Sequence, residues 1–416
     1  MPPQLQSALG LATFIALAWA FSEKRSLFPK RIVLWGVSLQ FAFAFLILKT
    51  QPGRSVFDGF QSTVDKFIGF AGQGSAMVFG DLGNPAILSK ALGTPNGLVL
   101  AITVTSTIIL VSAVSSALYH YGILQRVVQG IAWVMRRSMG TSGSETLAAA
   151  ANIFMGQTEA PLVIKPYLPH MTRSELLALM TGGMATIAGG VLAAYVGLGI
   201  PAGHLLTASV LSAPASLLVA KILVPETEIS QTAGGSSQRM ERETINGIEA
   251  LCRGATDGMM LSINVVAMLI AFVAVVALTN SLISGALGWV GIQSAAPLQT
   301  VFGWLNAPCA WLMGIPWKDC QVTGGILGER IVLNEFVGYL SAMKSQPAVE
   351  PRSFKLLVYA LCGFANIASI SIQIGGIGAL APSRRADLAR LGFKAMFGGL
   401  LACYITACVV GILDPT

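Results

Sequence analysis

Charge is the first thing this chain lacks. Only 11% of its 416 residues are Asp, Glu, Lys or Arg, against roughly 25% in an ordinary soluble domain. With 54% hydrophobic residues and a mean hydropathy of +0.70, a polytopic membrane protein is the only common class that fits. Histidine is scarce too: His120, His170 and His204 stand apart, with no HExxH pattern to build a zinc hydrolase. The six cysteines form no CxxC pair, which argues against a zinc site and for plain apolar packing. There is no GxSxG, and no His, Lys or Asp is spaced to activate Ser142 or Ser144 in "GTSGSET", so nucleophilic chemistry has little support. "GGIGAL" is a weak echo of a dinucleotide loop and has no strand before it. The net charge of +7 is scattered over short segments between apolar runs, so it marks topology and not a nucleic-acid surface.

What the chain has is long apolar runs. A spanning helix needs about 20 such residues, and stretches near that size lie at 6–22, 31–49, 97–123, 174–200, 203–224, 258–290, 353–381 and 389–413. Lys24, Arg25, Lys30 and Arg31 follow the first run instead of preceding it, which predicts a retained helix with its N-terminus outside and "SEKRSLFPKR" in the cytoplasm. Strict alternation then puts "PHMTRSE" and "SRRADLAR" on that same side, provided that residues 124–172 and 300–350 each enter and leave on one side. Both regions carry interruptions suited to re-entrant hairpins: "MGTSGSETL", with N-cap chemistry, and "GQTEAP" in the first; "NAPCAWLMGIPW" and "TGGILGERIVLNEF" in the second. Non-helical backbone at membrane depth survives only where protein or a wet cavity satisfies it, so the hairpins point to a site.

An internal repeat supports this. "RSELLALMTGGMATIA" from Arg173 matches "RSFKLLVYALCGFANIA" from Arg352 with one gap, aligning Gly183 with Gly363 at an offset of 180. Glu159 and Glu335 are offset by 176. Three crossings separate the copies, so the second is inverted, and inverted repeats with discontinuous helices mark a secondary transporter with a midplane site. Small-residue packing alone explains the Gly and Ala of "GGMATIAGG" and "GFANIASIS", but not Asn366 beside Ser369. Helices unwound there free carbonyls that, with a hydroxyl or amide oxygen, suit a small cation. Gln157, Thr158, Glu159, Glu335, Asn366 and Ser369 offer donors and acceptors with no Arg or Lys among them, which favours a neutral, hydroxyl-rich solute over a phosphate or carboxylate. Phe364 adds an apolar face.

The segments "NIFMGQTEAPLVIKPYL", "GGMATIAGGVLAAYV", "NEFVGYL" and "GFANIASISIQIGGIGALAPSRR" resemble the signature of the concentrative nucleoside transporter family, over essentially the whole chain. The resemblance implies an all-α polytopic membrane protein of eight transmembrane helices plus two re-entrant helical hairpins, built as an inverted repeat with broken helices. It implies a homotrimer of independent pathways that imports nucleosides such as uridine with sodium by alternating access. By motif, the base would meet Gln157, Thr158 and Glu159 with Val191 nearby; Glu335, Asn366 and Ser369 would hold the ribose with Phe364 beside them. Sodium would lie at Asn152, the Met155 carbonyl, Thr186 and the Ile187 carbonyl, with Thr186 standing where close relatives have Ser. The expected division is scaffold helices at 1–123, a first transport repeat at 124–224, a polar loop and long scaffold helix at 225–299, and a second transport repeat at 300–416. Compact loops suggest the cell inner membrane. Proton coupling through Glu159 or Glu335, or an intramembrane enzyme using the same two acids, are the alternatives.

Overall fold

A computed structural model describes residues 1–92, 99–233, 244–289 and 297–414. The start of the third expected crossing (97–98), the end of the sixth (290) and the middle of the polar loop (234–243) lie outside the described residues. Among the described residues all regular structure is helical. The first group of helices is α1 (Pro3–Ala20), α2 (Lys30–Lys49), α3 (Gln51–Phe79), α4 (Pro85–Leu92), α5 (Leu100–His120) and α6 (Ile123–Met139). The first hairpin and broken helix follow as α7 (Gly143–Ala151), α8 (Ala160–Val163), α9 (Arg173–Ala185) and α10 (Gly189–Gly197), and then α11 (Ala202–Leu223) and α12 (Gly247–Gly288). The second set is α13 (Pro297–Leu312), α14 (Trp317–Val332), α15 (Glu335–Ser345), α16 (Pro351–Leu361), α17 (Ile367–Leu380) and α18 (Arg385–Leu413).

Among the described residues, six stretches are long and apolar enough to span a bilayer: α2, α5, α9–α10, α11, α12 and the run through α18. With α1 and the split pair α16–α17 they fit the eight expected crossings. The local chemistry explains the ends. Thr172 and Glu175 form a reciprocal capping box at the start of α9 (3.1 and 2.8 Å), and Glu145 Oε1 accepts the Ser142 N–H at 2.8 Å at the start of α7, satisfying backbone donors that a helix start leaves orphaned. That is the cap chemistry expected of "MGTSGSETL".

Two ion clusters fix which ends lie together. Glu23, in the first loop, pairs with Arg173 at the start of α9 (2.8 Å) and Lys394 near the start of α18 (2.5 Å), while Arg384 donates to the Pro169 and Met171 carbonyls. The three basic segments therefore share one side, as alternation requires. Across the molecule, Asp414 pairs with Lys355 near the start of α16 (2.8 Å) and Lys49 at the end of α2 (3.8 Å). Since α9 starts on one side and α16 on the other, the repeats are inverted.

Helices α9, α11, α16 and α18 form the buried centre. The long α12 packs on α5 and leaves large apolar residues outward, among them Ile270, Leu278 and Leu282. Besides the short α4, two helices outside the expected hairpin cores lie beyond the continuous apolar runs. One is α3, capped by the Thr50 hydroxyl at 3.1 Å, which carries Arg54, Asp58, Asp65 and Lys66 between its apolar residues and packs on α2 and α5. The other is α6, which occupies the front of the first expected hairpin region and ends at Gly140 in a left-handed conformation (φ 74°), a C-terminal stop that glycine adopts without a Cβ penalty.

Candidate functional site

The two broken helices cross at their breaks. Helix α9 stops at Ala185 and α10 begins at Gly189; α16 stops at Leu361 and α17 begins at Ile367. The Phe364 N–H donates to the Thr186 carbonyl at 3.3 Å, joining break to break. A Cβ on Gly363 would lie 2.8 Å from the Met184 carbonyl oxygen and 3.0 Å from the Ala185 carbonyl carbon, so only glycine allows this approach. Cys403 of α18 sits behind the crossing and donates weakly to Ala185 O and Cys362 O (3.7 and 3.5 Å).

Each hairpin tip reaches this crossing. In the first, residues 152–159 separate α7 from α8 and run beside the α9–α10 break, the Gly189 N–H donating to Phe154 O at 3.2 Å. Gln157 is buried, and its Nε2 donates to Ser369 Oγ of α17 at 3.2 Å. Thr158 and Glu159 are exposed at the tip. Thr158 faces α17, where a Cβ on Gly376 would lie 3.2 Å from its methyl, and Glu159 Oε2 accepts the Gly156 N–H at 2.6 Å.

In the second hairpin, Asn334 caps α15 by accepting the Val337 N–H at 3.0 Å, which sets Glu335 as the first helical residue of the tip. Asn366 caps α17 by accepting the Ser369 N–H at 2.9 Å, and its Nδ2 donates to Glu335 Oε2 at 3.0 Å. The chain Glu335–Asn366–Ser369–Gln157 thus connects both hairpins through α17. Phe364 is half-buried in the break, and Val191 is buried on the first turn of α10.

Two further residues belong to this network and were missed in the sequence. Tyr195, one turn after Val191 on α10, donates its hydroxyl to Glu335 Oε1 at 2.8 Å. Gln373, one turn after Ser369 on α17, donates to Gln157 Oε1 at 3.1 Å and to Met180 O at 3.0 Å. Four-residue spacing from a residue already singled out was the available signal for both. Arg330, on the descending arm of the second hairpin five residues before Glu335, is fully buried. It is a positive charge near the polar set that the sequence argument left uncounted.

The expected cation ligands gather at the first break. Asn152, the last cap of α7, is 1% exposed, and neither amide atom has a hydrogen-bond partner among the described residues. A buried amide left unpaired costs about 1–3 kcal/mol, so this residue is built to meet something. Thr186 donates its proton to Gly182 O at 3.0 Å, leaving its oxygen lone pairs for a cation. A Cβ on Gly182 would lie 3.1 Å from Asn152 Nδ2, which brings the amide against the last turn of α9. That turn ends in carbonyls without helical partners, and Met155 and Ile187 lie in the two adjoining loops. Neutral oxygens at such a spot suit sodium better than a transition metal.

The chain was compared with known proteins. Residues 204–411 match the family model of the Na+ dependent nucleoside transporter C-terminus, residues 9–82 that of its N-terminus, and residues 101–202 a model described as nucleoside recognition. An uncharacterized transporter of Bacillus subtilis (strain 168), YutK, is 41% identical over 98% of this chain and 99% of its own length. Sodium/nucleoside cotransporter 2 of Rattus norvegicus is 39% identical over 99% of this chain, which covers 63% of that protein. Among solved structures, CNTnw in an inward-facing substrate-bound state superposes with a TM-score of 0.93 at 38% identity, over 99% of both chains. A variant of it in an outward-facing state gives 0.90 at 37% identity, over 98% of this chain and 97% of that one.

Proposed function

This chain belongs to the Na+ dependent nucleoside transporter family, and on that premise we propose how its residues share the work. It is a multi-pass membrane symporter that takes up nucleosides with sodium by alternating access, and not an enzyme. Our reading of the site adds the ligand contacts. Gln157, Thr158 and Glu159, with Val191, hold the base; Glu335, Asn366 and Ser369, with Phe364, hold the ribose; Asn152, Thr186 and the Met155 and Ile187 carbonyls hold sodium.

The hydrogen-bonded chain from Glu335 to Gln157 carries this reading. Both oxygens of Glu335 are oriented by donors, yet a carboxylate has about four acceptor positions, so two remain for a pair of vicinal hydroxyls. Gln157 keeps its second N–H, and Glu159 keeps Oε1, for the edge of a base. Because the broken helices supply Asn366, Ser369, Phe364 and Val191 while the hairpin tips supply Gln157, Thr158, Glu159 and Glu335, the site is complete only when both tips are docked on the crossing. Sodium at Asn152 would fasten the first tip to the α9 break and thereby raise nucleoside affinity, the reciprocal coupling that symport requires.

Motion follows from the same division. The hairpins and broken helices (124–224 and 300–416) form the mobile unit, and 1–123 with 225–299 form the scaffold. One sodium entering with a neutral nucleoside gains about 2.3 kcal/mol per 100 mV, enough for roughly a fiftyfold gradient before the sodium gradient is added. We also propose uridine as a substrate, a homotrimer, whose contacts would cover the outward apolar residues of α12, and the cell inner membrane as the location.

The test is competition against labelled uridine in proteoliposomes, with and without sodium at constant pH. Nucleosides should compete, free nucleobases should not, and accumulation should need sodium. Equal inhibition by nucleobases would remove Glu335 and Asn366 from ribose binding; accumulation without sodium would favour the proton.

A further inference from the structure

Helix α17 turns one face to the first hairpin tip. Ser369, Gln373 and Gly376 follow one another at intervals of four and three residues, the spacing that shares a helix face. Ser369 and Gln373 both bond Gln157, and Gly376 lies against Thr158. Gln373 is fully buried, and ligand binding as assigned above gives it no task.

Its side chain nevertheless has a fixed direction. An amide donates from nitrogen and accepts at oxygen, and the partners tell the two ends apart. The Met180 carbonyl of α9 can only accept, so Gln373 Nε2 faces it at 3.0 Å. The same nitrogen gives its second hydrogen to Gln157 Oε1 at 3.1 Å. Turning the amide over would set Gln373 Oε1 against two oxygens at once. Instead Oε1 is buried with no partner among the described residues, the lesser of two costs. Both side chains fit because position 183 is glycine: a Cβ there would lie 2.7 Å from Gln373 Nε2 and 2.9 Å from Gln157 Cβ.

The direction passes along the bonds. With its oxygen held by Gln373, Gln157 turns its NH2 to Ser369 Oγ at 3.2 Å and keeps a second N–H for the ligand. Ser369 accepts that bond and so retains its own proton to donate. On the same tip, the Glu159 carboxylate accepts. A donor therefore stands beside an acceptor.

We propose that Gln373 is a positioning residue for base recognition: held by the Met180 carbonyl, it fixes Gln157 as a donor, so the site takes bases whose edge sets a carbonyl or ring nitrogen beside an N–H, as uracil does. This rests on the reading of Gln157 and Glu159 as base contacts.

The experiment uses the full-length protein in proteoliposomes and compares the wild type, Gln157→Ala, Gln373→Met and the double variant. Met keeps the length of Gln without its hydrogen bonds. Uptake is measured for uridine and for pyrimidin-2-one riboside, which lacks the 4-carbonyl and the N3–H of uridine. The inference expects each single variant to raise the KM for uridine about tenfold, with the maximal rate and the sodium half-activation at saturating uridine nearly unchanged. The double variant should lie within about twofold of Gln157→Ala, because Gln373 acts through Gln157. The wild type should prefer uridine to the pyrimidinone riboside, and Gln373→Met should narrow that preference. Independent losses, about a hundredfold in the double variant, overturn the proposal, as does an unchanged preference or a sodium curve that shifts along with the uridine curve. Should Gln373→Met not fold, Gln373→Asn, which withdraws the amide by one methylene, takes its place in the same cycle. An unchanged uridine KM in Gln157→Ala would instead overturn the placement of the base, whereas independent losses leave that placement standing.

Discussion

Asn366 reaches across the crossing to Glu335, donating to its Oε2 at 3.0 Å while accepting the Ser369 N–H at 2.9 Å. One amide therefore starts a half-helix and aims the carboxylate of the opposite hairpin. Backbone geometry and ligand geometry depend on the same two atoms, which is why the break lies here and not a turn away.

Replacing Glu335 with Gln keeps the volume but removes the charge from the proposed ribose contacts. Hydrogen bonds to a charged group contribute about 1.5–3 kcal/mol, so uridine affinity should fall roughly ten- to a hundredfold, while 2′- and 3′-deoxyuridine lose less. Binding of the three compounds to purified variant and wild type measures this, and equal losses for all three would detach Glu335 from the hydroxyls.

Tyr195 is held to act through Glu335 and not on the ligand directly. Phe at this position removes the hydroxyl donated to Oε1 at 2.8 Å and keeps the ring stack with Tyr339, whose centroid is 4.5 Å away. The carboxylate then swings or loses a partner, and the KM for uridine should rise by about tenfold, a cost of about 1–2 kcal/mol, with the maximal rate nearly unchanged. A fall in maximal rate at constant KM would make Tyr195 part of the conformational step.

At the first break, Asn152→Ala should weaken sodium activation more than uridine binding at saturating sodium. If Asn152 is the oxygen ligand proposed above, its loss moves the sodium curve to higher concentration, and the uridine curve follows only where sodium is limiting, by reciprocity. Uridine affinities measured at low and at high sodium separate the two effects.

Lys221 joins the first hairpin to the helices behind it. It is buried and contacts Glu145 Oε2 at 2.6 Å, Glu226 Oε2 at 3.1 Å and Ser174 Oγ at 2.9 Å. Lys221→Met strands a buried Glu145 and should cost about 3–5 kcal/mol of stability, whereas Lys221→Met with Glu145→Leu should recover most of it. Thermal unfolding of the single and double variants checks both signs.

Much of this was legible in the sequence because membranes punish irregular backbone. "GGMATIA" and "GFANIA" break where Gly, Thr and Asn interrupt apolar runs, and Thr186 and Asn366 are the residues at the ends of the half-helices. Helix α3 was not legible to a search for continuous apolar runs, because it alternates faces at helical period and carries four charges. Tyr195 and Gln373 escaped because a single polar side chain within "LAAYV" or "ISIQI" reads as packing until a partner more than a hundred residues away is placed beside it. Arg330 was not counted with the polar set, although it lies in the last turn of a buried hairpin arm, five residues before Glu335.

The crossing itself sets the last prediction. Gly363→Ala would bring a Cβ within 2.7 Å of Cys403 Sγ and 2.8 Å of the Met184 carbonyl oxygen, and backbone on one side cannot yield as a flexible side chain can. Overpacking of this kind costs about 1–3 kcal/mol, and it is paid at the contact where Phe364 N–H meets Thr186 O at 3.3 Å. Both half-sites should therefore suffer together, with uridine and sodium affinity falling in parallel. Gly375→Ala, on α17 with nothing within 4 Å of the added carbon, should leave both unchanged. A Gly363→Ala protein that loses uridine affinity but keeps its sodium curve would show that the breaks act separately, because a shared crossing gives the added methyl no way to disturb one alone.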